Sequence, residues 1–181
     1  MYQIRIHGRG GQGVVTAAEL IAISAFNDDW QAQAFPHFGV ERTGAPIEAF
    51  ARISKQPIRT REHVQKPDFL IIQDASLLSV VDVTKGAHEK TKAIVNTSLD
   101  KADLDLDLPK ENIFTIDATK IALEILGKNI VNTVIIGAFA GATELFTINS
   151  IKKAIKQKFE HKGKSLIEKN IKAVEVAYDN E

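Results

Sequence analysis

The sequence predicts an α/β fold, a three-layer α/β/α sandwich that is Rossmann-like and has a mixed, mostly parallel sheet. A first strand runs directly into a glycine-rich loop and a helix, as in nucleotide-binding α/β units. Further on, short apolar runs alternate with helical or polar segments, which is typical of strands buried on both faces. At 181 residues, with 44% apolar and 25% charged residues, the chain is expected to form a single domain spanning residues 1–181.

The N-terminal third contains the first predicted unit. Apolar residues alternate over residues 2–7, which predicts a strand, and recur at helical spacing after the glycine loop until residues 27–29 end the helix. A second strand is predicted over residues 30–35. A long loop with two prolines and two glycines then precedes a strand over residues 47–53, and loops of this length usually carry function.

The middle of the chain contains three short apolar runs, at residues 69–72, 93–95 and 113–116, which predict buried parallel strands. Asp74 and Asp117 follow two of these strands. We expect Ser76, or Asp117 itself, to cap the helix that comes next. Capping is the simplest role for both aspartates, and the polar stretch 101–110 is expected to be an exposed loop.

The C-terminal part is predicted to be helical. Residues 130–146 are strongly apolar but contain polar interruptions and are too short to span a membrane, so they predict a buried helix. Gly137 and Gly141 give this helix a smooth face that favours close packing in the core or against another subunit. Two amphipathic helices follow with Gly163 between them, and their lysines are expected to face solvent.

The glycine loop is the first candidate functional site. Gly8, Gly10 and Gly13 form the pattern G-x-G-x-x-G after a strand and before a helix, where glycines let the backbone approach a phosphate at the helix N-terminus. Alternatively, the glycines only form a tight turn that lets the helix pack on the sheet. A free-standing NAD-binding protein should also have an acidic residue at the end of the second strand. Asp28 and Asp29 precede that strand, which weakens this interpretation.

The residues after Gly13 exclude a nucleotide-hydrolysing loop, because Val14 and Val15 replace the lysine and the hydroxyl residue that such a loop requires. Arg9 and Arg42 are predicted to approach the same edge of the sheet and to form an anion site there. Alternatively, Arg42 pairs with Glu41 and only stabilises its loop.

Composition excludes several classes of function. Acidic and basic residues balance at 23 each, so we expect neither nucleic acid nor a membrane as a partner. The absence of cysteine excludes disulfides, thiolate metal sites and an iron–sulfur cluster bound by this chain. The five histidines have no metal-binding spacing. His37 is expected to pack or face solvent, and the alternative is contact with a substrate. The N-terminus does not resemble a signal peptide, so a cytoplasmic location is expected.

Three segments carry a resemblance to a known family: residues 7–13 (HGRGGQG), 34–46 (AFPHFGVERTGAP) and 132–138 (NTVIIGA). Together they resemble the gamma subunit of pyruvate and related 2-oxoacid:ferredoxin oxidoreductases. The resemblance implies oxidative decarboxylation of a 2-oxoacid, most simply pyruvate, with coenzyme A to give acyl-CoA and CO2, or the reverse reaction. The alternatives are a free-standing Rossmann-type nucleotide-binding protein and a purely structural module.

The resemblance also implies a division of labour among subunits. Alpha, beta and delta subunits would hold thiamine diphosphate, magnesium and the iron–sulfur clusters, and ferredoxin or flavodoxin would accept the electrons. This chain would bind no cofactor alone but would help to hold coenzyme A at a subunit interface. Transferred to this sequence, the residues expected to contact coenzyme A or a partner are Gly8, Arg9, Gly10, Gly11, Gln12, Gly13, Glu41, Arg42, Thr43 and Gly44.

Overall fold

The computed structural model describes residues 1–37 and 43–180 of the chain. Its sheet contains the strands β1 (Tyr2–Arg9), β2 (Gln31–Pro36), β3 (Pro46–Ser54), β4 (Phe69–Ile72), β5 (Lys92–Asn96) and β6 (Ile113–Ile116). Its α-helices are α1 (Val14–Asn27), α2 (Ala118–Leu126), α3 (Val134–Thr143), α4 (Ile148–Phe159) and α5 (Lys164–Tyr178). Every predicted strand is present, and so are α1, α2 and the C-terminal helices, with bounds that differ by a few residues at most. The helix expected after β4 is a short 3-10 turn instead.

The six strands form one sheet in the order β2-β3-β1-β4-β5-β6. Strands β1, β4, β5 and β6 run parallel to one another, whereas β3 is antiparallel to both β1 and β2. This arrangement confirms the α/β class with a mixed, mostly parallel sheet. Because β1 lies between β3 and β4, the loop that follows β1 emerges near the middle of one sheet edge.

The two faces of the sheet are covered differently. All five α-helices lie on one face, where α1 and α3 contact the strands and the other helices pack around them in one continuous apolar core. The other face is covered by connecting segments with short 3-10 turns, and its core contains Leu77, Val83, Leu104 and Leu106 from those segments. The third layer of the sandwich is therefore built from connecting segments with 3-10 turns. Leu104 and Leu106 are buried, so the stretch 101–110 is not simply an exposed loop.

Helix α3 lies inside the helical layer, and all its residues from Val134 to Ala140 are buried. A Cβ atom added to Gly137 would overlap the carbonyl oxygen of Val174 in α5. The glycine therefore allows these two helices to approach closely, which confirms the core-packing interpretation for Gly137. No helix in residues 1–37 and 43–180 is long and apolar enough to cross a membrane.

Both strand-end aspartates act as caps. Asp117 accepts a hydrogen bond from the backbone N–H of Lys120 at 2.8 Å, at the start of α2. Asp74 accepts one from the N–H of Ser76 at 3.0 Å, at the start of a 3-10 turn. The expectation that Ser76 is the capping residue is wrong. The carboxylate of Asp74 caps the turn, and the Ser76 hydroxyl donates to that carboxylate.

Candidate functional site

The glycine loop, residues 8–13, lies where β1 ends and α1 begins. The backbone N–H of Gly10 donates to the carbonyl of Ala45 at 2.9 Å, and the N–H of Gly44 donates to the carbonyl of Gly10 at 3.0 Å. The structure thus brings Thr43 and Gly44 of the long loop against the glycine loop. Glu41 and Arg42 lie outside the described residues.

Two glycines of the loop adopt left-handed backbone conformations, with φ of 93° at Gly11 and 73° at Gly13. Such angles are unfavourable for residues with a Cβ atom. Gly13 is also the N-cap of α1, and a Cβ atom there would overlap the side-chain amide of Asn132. Tight turning and close packing are therefore real functions of these glycines, but they do not exclude ligand binding at the same loop.

A cavity of about 410 Å³ opens beside the loop. The first backbone N–H groups of an α-helix have no acceptor within the helix, and no side chain in the described part of the chain caps α1. The helix dipole adds a partial positive charge at this end. The cavity therefore suits an anion, and the residues that line it are Gly10, Gly11, Gly13, Val14, Val15, Thr43 and Ile47.

Arg9 stabilises the glycine loop by hydrogen bonds to other residues of this chain. Its Nε donates to the carboxylate of Asp74 at 3.1 Å, its Nη1 to the carbonyl of Gly44 at 3.0 Å and its Nη2 to the hydroxyl of Ser76 at 2.8 Å. Gln12 accepts from the N–H of Arg9 at 2.7 Å and donates to Asp74 at 3.1 Å. The guanidinium charge is thus balanced by Asp74, and any anion at the cavity is held mainly by backbone groups.

Asp74 joins the glycine loop to the end of β4. Burial alone would raise the pKa of its carboxyl group, but hydrogen bonds from Ser76 and Gln12 and the charge of Arg9 outweigh that effect and lower the pKa. Because the pKa is lower in the folded protein than in the unfolded chain, the ionised carboxylate stabilises the fold at pH values above the pKa of the unfolded chain. This stabilisation is lost as the pH falls through the pKa of the folded protein.

The variant Asp74→Asn is expected to lower the free energy of unfolding by about 1 to 2 kcal/mol at pH 7, because charge-assisted hydrogen bonds become neutral ones. The difference from the wild-type protein should shrink below about pH 4, where the carboxyl group of the unfolded chain is protonated. Urea unfolding at pH 7 and pH 3 measures both values. Asp117→Asn is the matched control and should change stability less, since asparagine caps helices equally well. An equal effect of the two substitutions would contradict the proposed link to Arg9.

A second, polar cavity of about 460 Å³ lies at the carboxyl ends of the parallel strands. It shares Gln12 and Asp74 with the glycine-loop region and is also lined by Gln73, Asn96 and Asp117. Asn96 donates to the carbonyl of Gln73 at 2.9 Å and thereby ties β5 to β4. Sequence reasoning missed Gln73 and Asn96, although polar residues directly after buried parallel strands are a signal for such a crevice.

The face of β1 that points away from the α-helices carries a cluster of charged and titratable side chains that the sequence did not predict, in which Arg5 and His7 are buried and His37 is exposed. His7 accepts a hydrogen bond from Arg5 Nε at 3.1 Å, and its Nδ1 lies 3.5 Å from Glu48. Glu48 also approaches His37 Nδ1 at 3.3 Å, and the ring of His37 lies 4.3 Å from that of His63. In residues 1–37 and 43–180, no three acidic or histidine side chains are arranged to hold a metal ion.

The geometry argues against the NAD-binding interpretation. Strand β2 is antiparallel to β3 at the sheet edge and does not neighbour β1. Asp28 accepts hydrogen bonds from the N–H of Thr147 at 2.6 Å and from the hydroxyl of Ser150. Its carboxylate therefore stabilises the start of α4 and is not available at the glycine loop for ribose hydroxyls.

Comparison with known proteins decides the family. The model of the pyruvate ferredoxin/flavodoxin oxidoreductase family matches residues 3–180. The chain belongs to this family. The pyruvate synthase subunit PorC of Methanocaldococcus jannaschii is 52% identical over 179 residues, covering 99% of this chain and 96% of the relative. The common gamma subunit of the pyruvate/ketoisovalerate oxidoreductases of Thermococcus kodakarensis is 48% identical, covering 99% and 96%.

Solved structures agree with this assignment. The pyruvate oxidoreductase subunit PORC of Thermotoga maritima superposes with a TM-score of 0.83 at 32% identity, covering 98% of this chain and 95% of that one. The 2-oxoglutarate:ferredoxin oxidoreductase of Magnetococcus marinus, solved with 2-oxoglutarate, coenzyme A and succinyl-CoA, has a TM-score of 0.70 at 19% identity. That likeness shows the shared fold and covers 99% of this chain but 31% of the longer chain.

The chain is thus a gamma subunit of a pyruvate or related 2-oxoacid:ferredoxin oxidoreductase, which is a multi-subunit complex. The family prediction made from three sequence segments is confirmed. Oxidoreductase activity belongs to the assembled complex.

Proposed function

We propose that this gamma chain helps to hold coenzyme A in the assembled oxidoreductase, with a phosphate of the coenzyme at the N-terminus of α1. The complex would convert a 2-oxoacid, most simply pyruvate, and coenzyme A to acyl-CoA and CO2, or run the reverse reaction. The observation that supports this proposal is the cavity between the glycine loop and Thr43, which the uncapped start of α1 borders.

The chemistry of this cavity matches a phosphate. Backbone N–H groups at a helix N-terminus bind phosphates, and glycines let the phosphate approach the backbone closely. The chain carries no net charge, so attraction for an anion has to be local, and the start of α1 supplies it. Coenzyme A is also present in the structure of the Magnetococcus marinus enzyme, which shares this fold.

The proposed site residues have two roles. The backbones of Gly8, Gly10, Gly11 and Gly13, with the hydroxyl of Thr43, would face the phosphate. Arg9, Gln12 and Gly44 would hold the loop in shape through the hydrogen bonds described above. Contacts of Glu41 and Arg42 with coenzyme A or a partner remain predictions.

The proposal leaves the redox chemistry to other subunits. Thiolates are the usual ligands of iron–sulfur clusters, and this sequence contains no cysteine. We therefore assign thiamine diphosphate, magnesium and the clusters to alpha, beta and delta subunits. Ferredoxin or flavodoxin would accept the electrons. The single domain and the cytoplasmic location expected from the sequence remain predictions.

A carboxylate placed at the cavity tests the proposal. In the purified complex, Thr43→Glu should raise the KM for coenzyme A about 10- to 100-fold, because the new carboxylate would face the phosphate and like charges repel each other. The value of kcat at saturating coenzyme A and the KM for the 2-oxoacid should change little. Thr43 is exposed, so the substitution should not prevent folding.

Thr43→Gln is the matched control, because glutamine has the size of glutamate without its charge. This variant should change the KM for coenzyme A less than about threefold. Equal KM values for the Glu and Gln variants would indicate that the loop is purely structural and would refute the proposal.

Calorimetry of the chain alone with NAD or an adenine nucleotide tests the remaining alternative, a free-standing nucleotide-binding protein. Tight binding without partners would favour the free-standing nucleotide-binding protein.

A further inference from the structure

A separate apolar groove of about 440 Å³ lies between the start of α1, the segment after α2 and the α4–α5 hairpin. Leu126 and Phe159 are half-buried in it, whereas Ile130 and Leu166 are 43% and 42% exposed. Large apolar side chains that cluster at an exposed groove commonly mark an interaction site. Neither the glycine loop nor the polar crevice at the strand ends uses these residues.

The rim of the groove is basic. Lys128, Lys162 and Lys169 line it, and none of them forms a salt bridge with any residue that the structure describes. The local charge is unusual for this neutral chain, because residues 151–172 contain eight lysines and two glutamates, a net charge of +6. An apolar floor with unpaired ammonium groups around it is complementary to a segment that has apolar and acidic side chains.

The position of the groove connects it to the glycine loop. Asn132 lines the groove, and its side-chain amide lies 3.5 Å from the carbonyl oxygen of Gly13. Thr16, in the first turn of α1, lines the groove as well. A chain seated here would therefore lie directly beside the loop that begins α1.

We propose that this groove is a docking site for an acidic segment with an apolar face from another subunit of the oxidoreductase complex. The apolar residues of the segment would cover Ile130 and Leu166, and its carboxylates would pair with the three lysines. Such rim pairs mainly determine which partner binds and how it is oriented. This inference rests on membership in the complex and does not depend on coenzyme A binding at the glycine loop.

Charge reversal in the co-expressed complex tests the docking site. The double variant Lys162→Glu/Lys169→Glu should reduce the amount of this chain that co-purifies with a tagged partner subunit about tenfold or more, because like charges would face each other at the interface. The control Lys153→Glu/Lys172→Glu makes the same charge change at exposed positions of the same hairpin that do not line the groove. It should co-purify within about twofold of the wild-type chain.

Two further measurements make the result decisive. Circular dichroism and thermal unfolding of both double variants should match the wild-type chain, since all four lysines lie on the surface. Carbodiimide cross-linking of the wild-type complex should join Lys162 or Lys169 to an aspartate or glutamate of a different subunit. The proposal would be overturned by normal co-purification of the groove variant, by cross-links to a second copy of this chain, or by an intact complex in which only the KM for coenzyme A rises.

Discussion

Phe139→Ala is expected to lower the free energy of unfolding by about 3 to 5 kcal/mol, the range for removal of a fully buried phenylalanine. Phe139 lies in the centre of α3 and is completely buried. Its ring meets Phe69 of β4 edge to face at 5.4 Å and approaches Phe146 at 5.8 Å. Alanine would leave a cavity between the sheet and the helical layer. Urea unfolding of the full chain, followed by circular dichroism, measures the loss.

Phe26→Ala is the matched control for this substitution. Phe26 lies near the end of α1 and is 68% exposed, so its removal should change stability by no more than about 0.5 kcal/mol. Similar losses for the two variants would mean that α3 does not form the centre of the core.

Lowering the pH from 7 to 4 is expected to reduce the free energy of unfolding by about 3 kcal/mol because of the titration of His7. Burial lowers the pKa of His7 from 6.5 to about 4; the charge of Glu48 opposes this shift, and the charge of Arg5 adds a smaller lowering effect. Between these two pH values the unfolded chain binds a proton at His7 that the folded chain does not bind. Stability therefore falls as the pH drops through this window and stops falling, on account of this residue, below about pH 4.

His7→Gln removes the titrating group and should flatten the pH dependence, even if the variant is less stable at pH 7. Urea unfolding at half-unit steps from pH 7 to pH 4 gives the slope for each protein. His161→Gln changes an exposed histidine and should leave the wild-type slope unaltered. If His7→Gln kept the full acid sensitivity, the destabilisation would have to be assigned to other groups.

The prediction from sequence was most accurate where short-range signals dominate. Alternation in residues 2–7, glycines before α1 and a carboxylate before α2 each act over a few residues, and all three features are present. The family was also predicted correctly from local segments. The covering of the second sheet face was not predicted, because isolated apolar residues in irregular connections give no periodic signal, and only the folded chain places Leu77, Leu104 and Leu106 in one core.

The candidate site, like the fold, was predicted from the sequence only in part. The sequence singled out the glycine loop and the long loop, and backbone hydrogen bonds join the two at Gly10 and Gly44. The predicted approach of Arg42 to Arg9 lies outside the described residues and stays a prediction. The role of Arg9 was not predicted. Its partner Asp74 is 65 residues away in the sequence, and nothing in the local pattern distinguishes a guanidinium that binds a ligand from one that holds a loop.

By itself, the sequence determined the order of the strands and α-helices, the glycine loop, the aspartate cap of α2 and the absence of thiolate chemistry, because each depends on residue type and on near neighbours. Only the tertiary structure decided that one face of the sheet carries all five α-helices, that Asp74 neutralises Arg9, and that Glu48 lies between His7 and His37. These outcomes depend on pairing between residues that are far apart in the chain. Close packing selects such pairs only when the whole core is assembled.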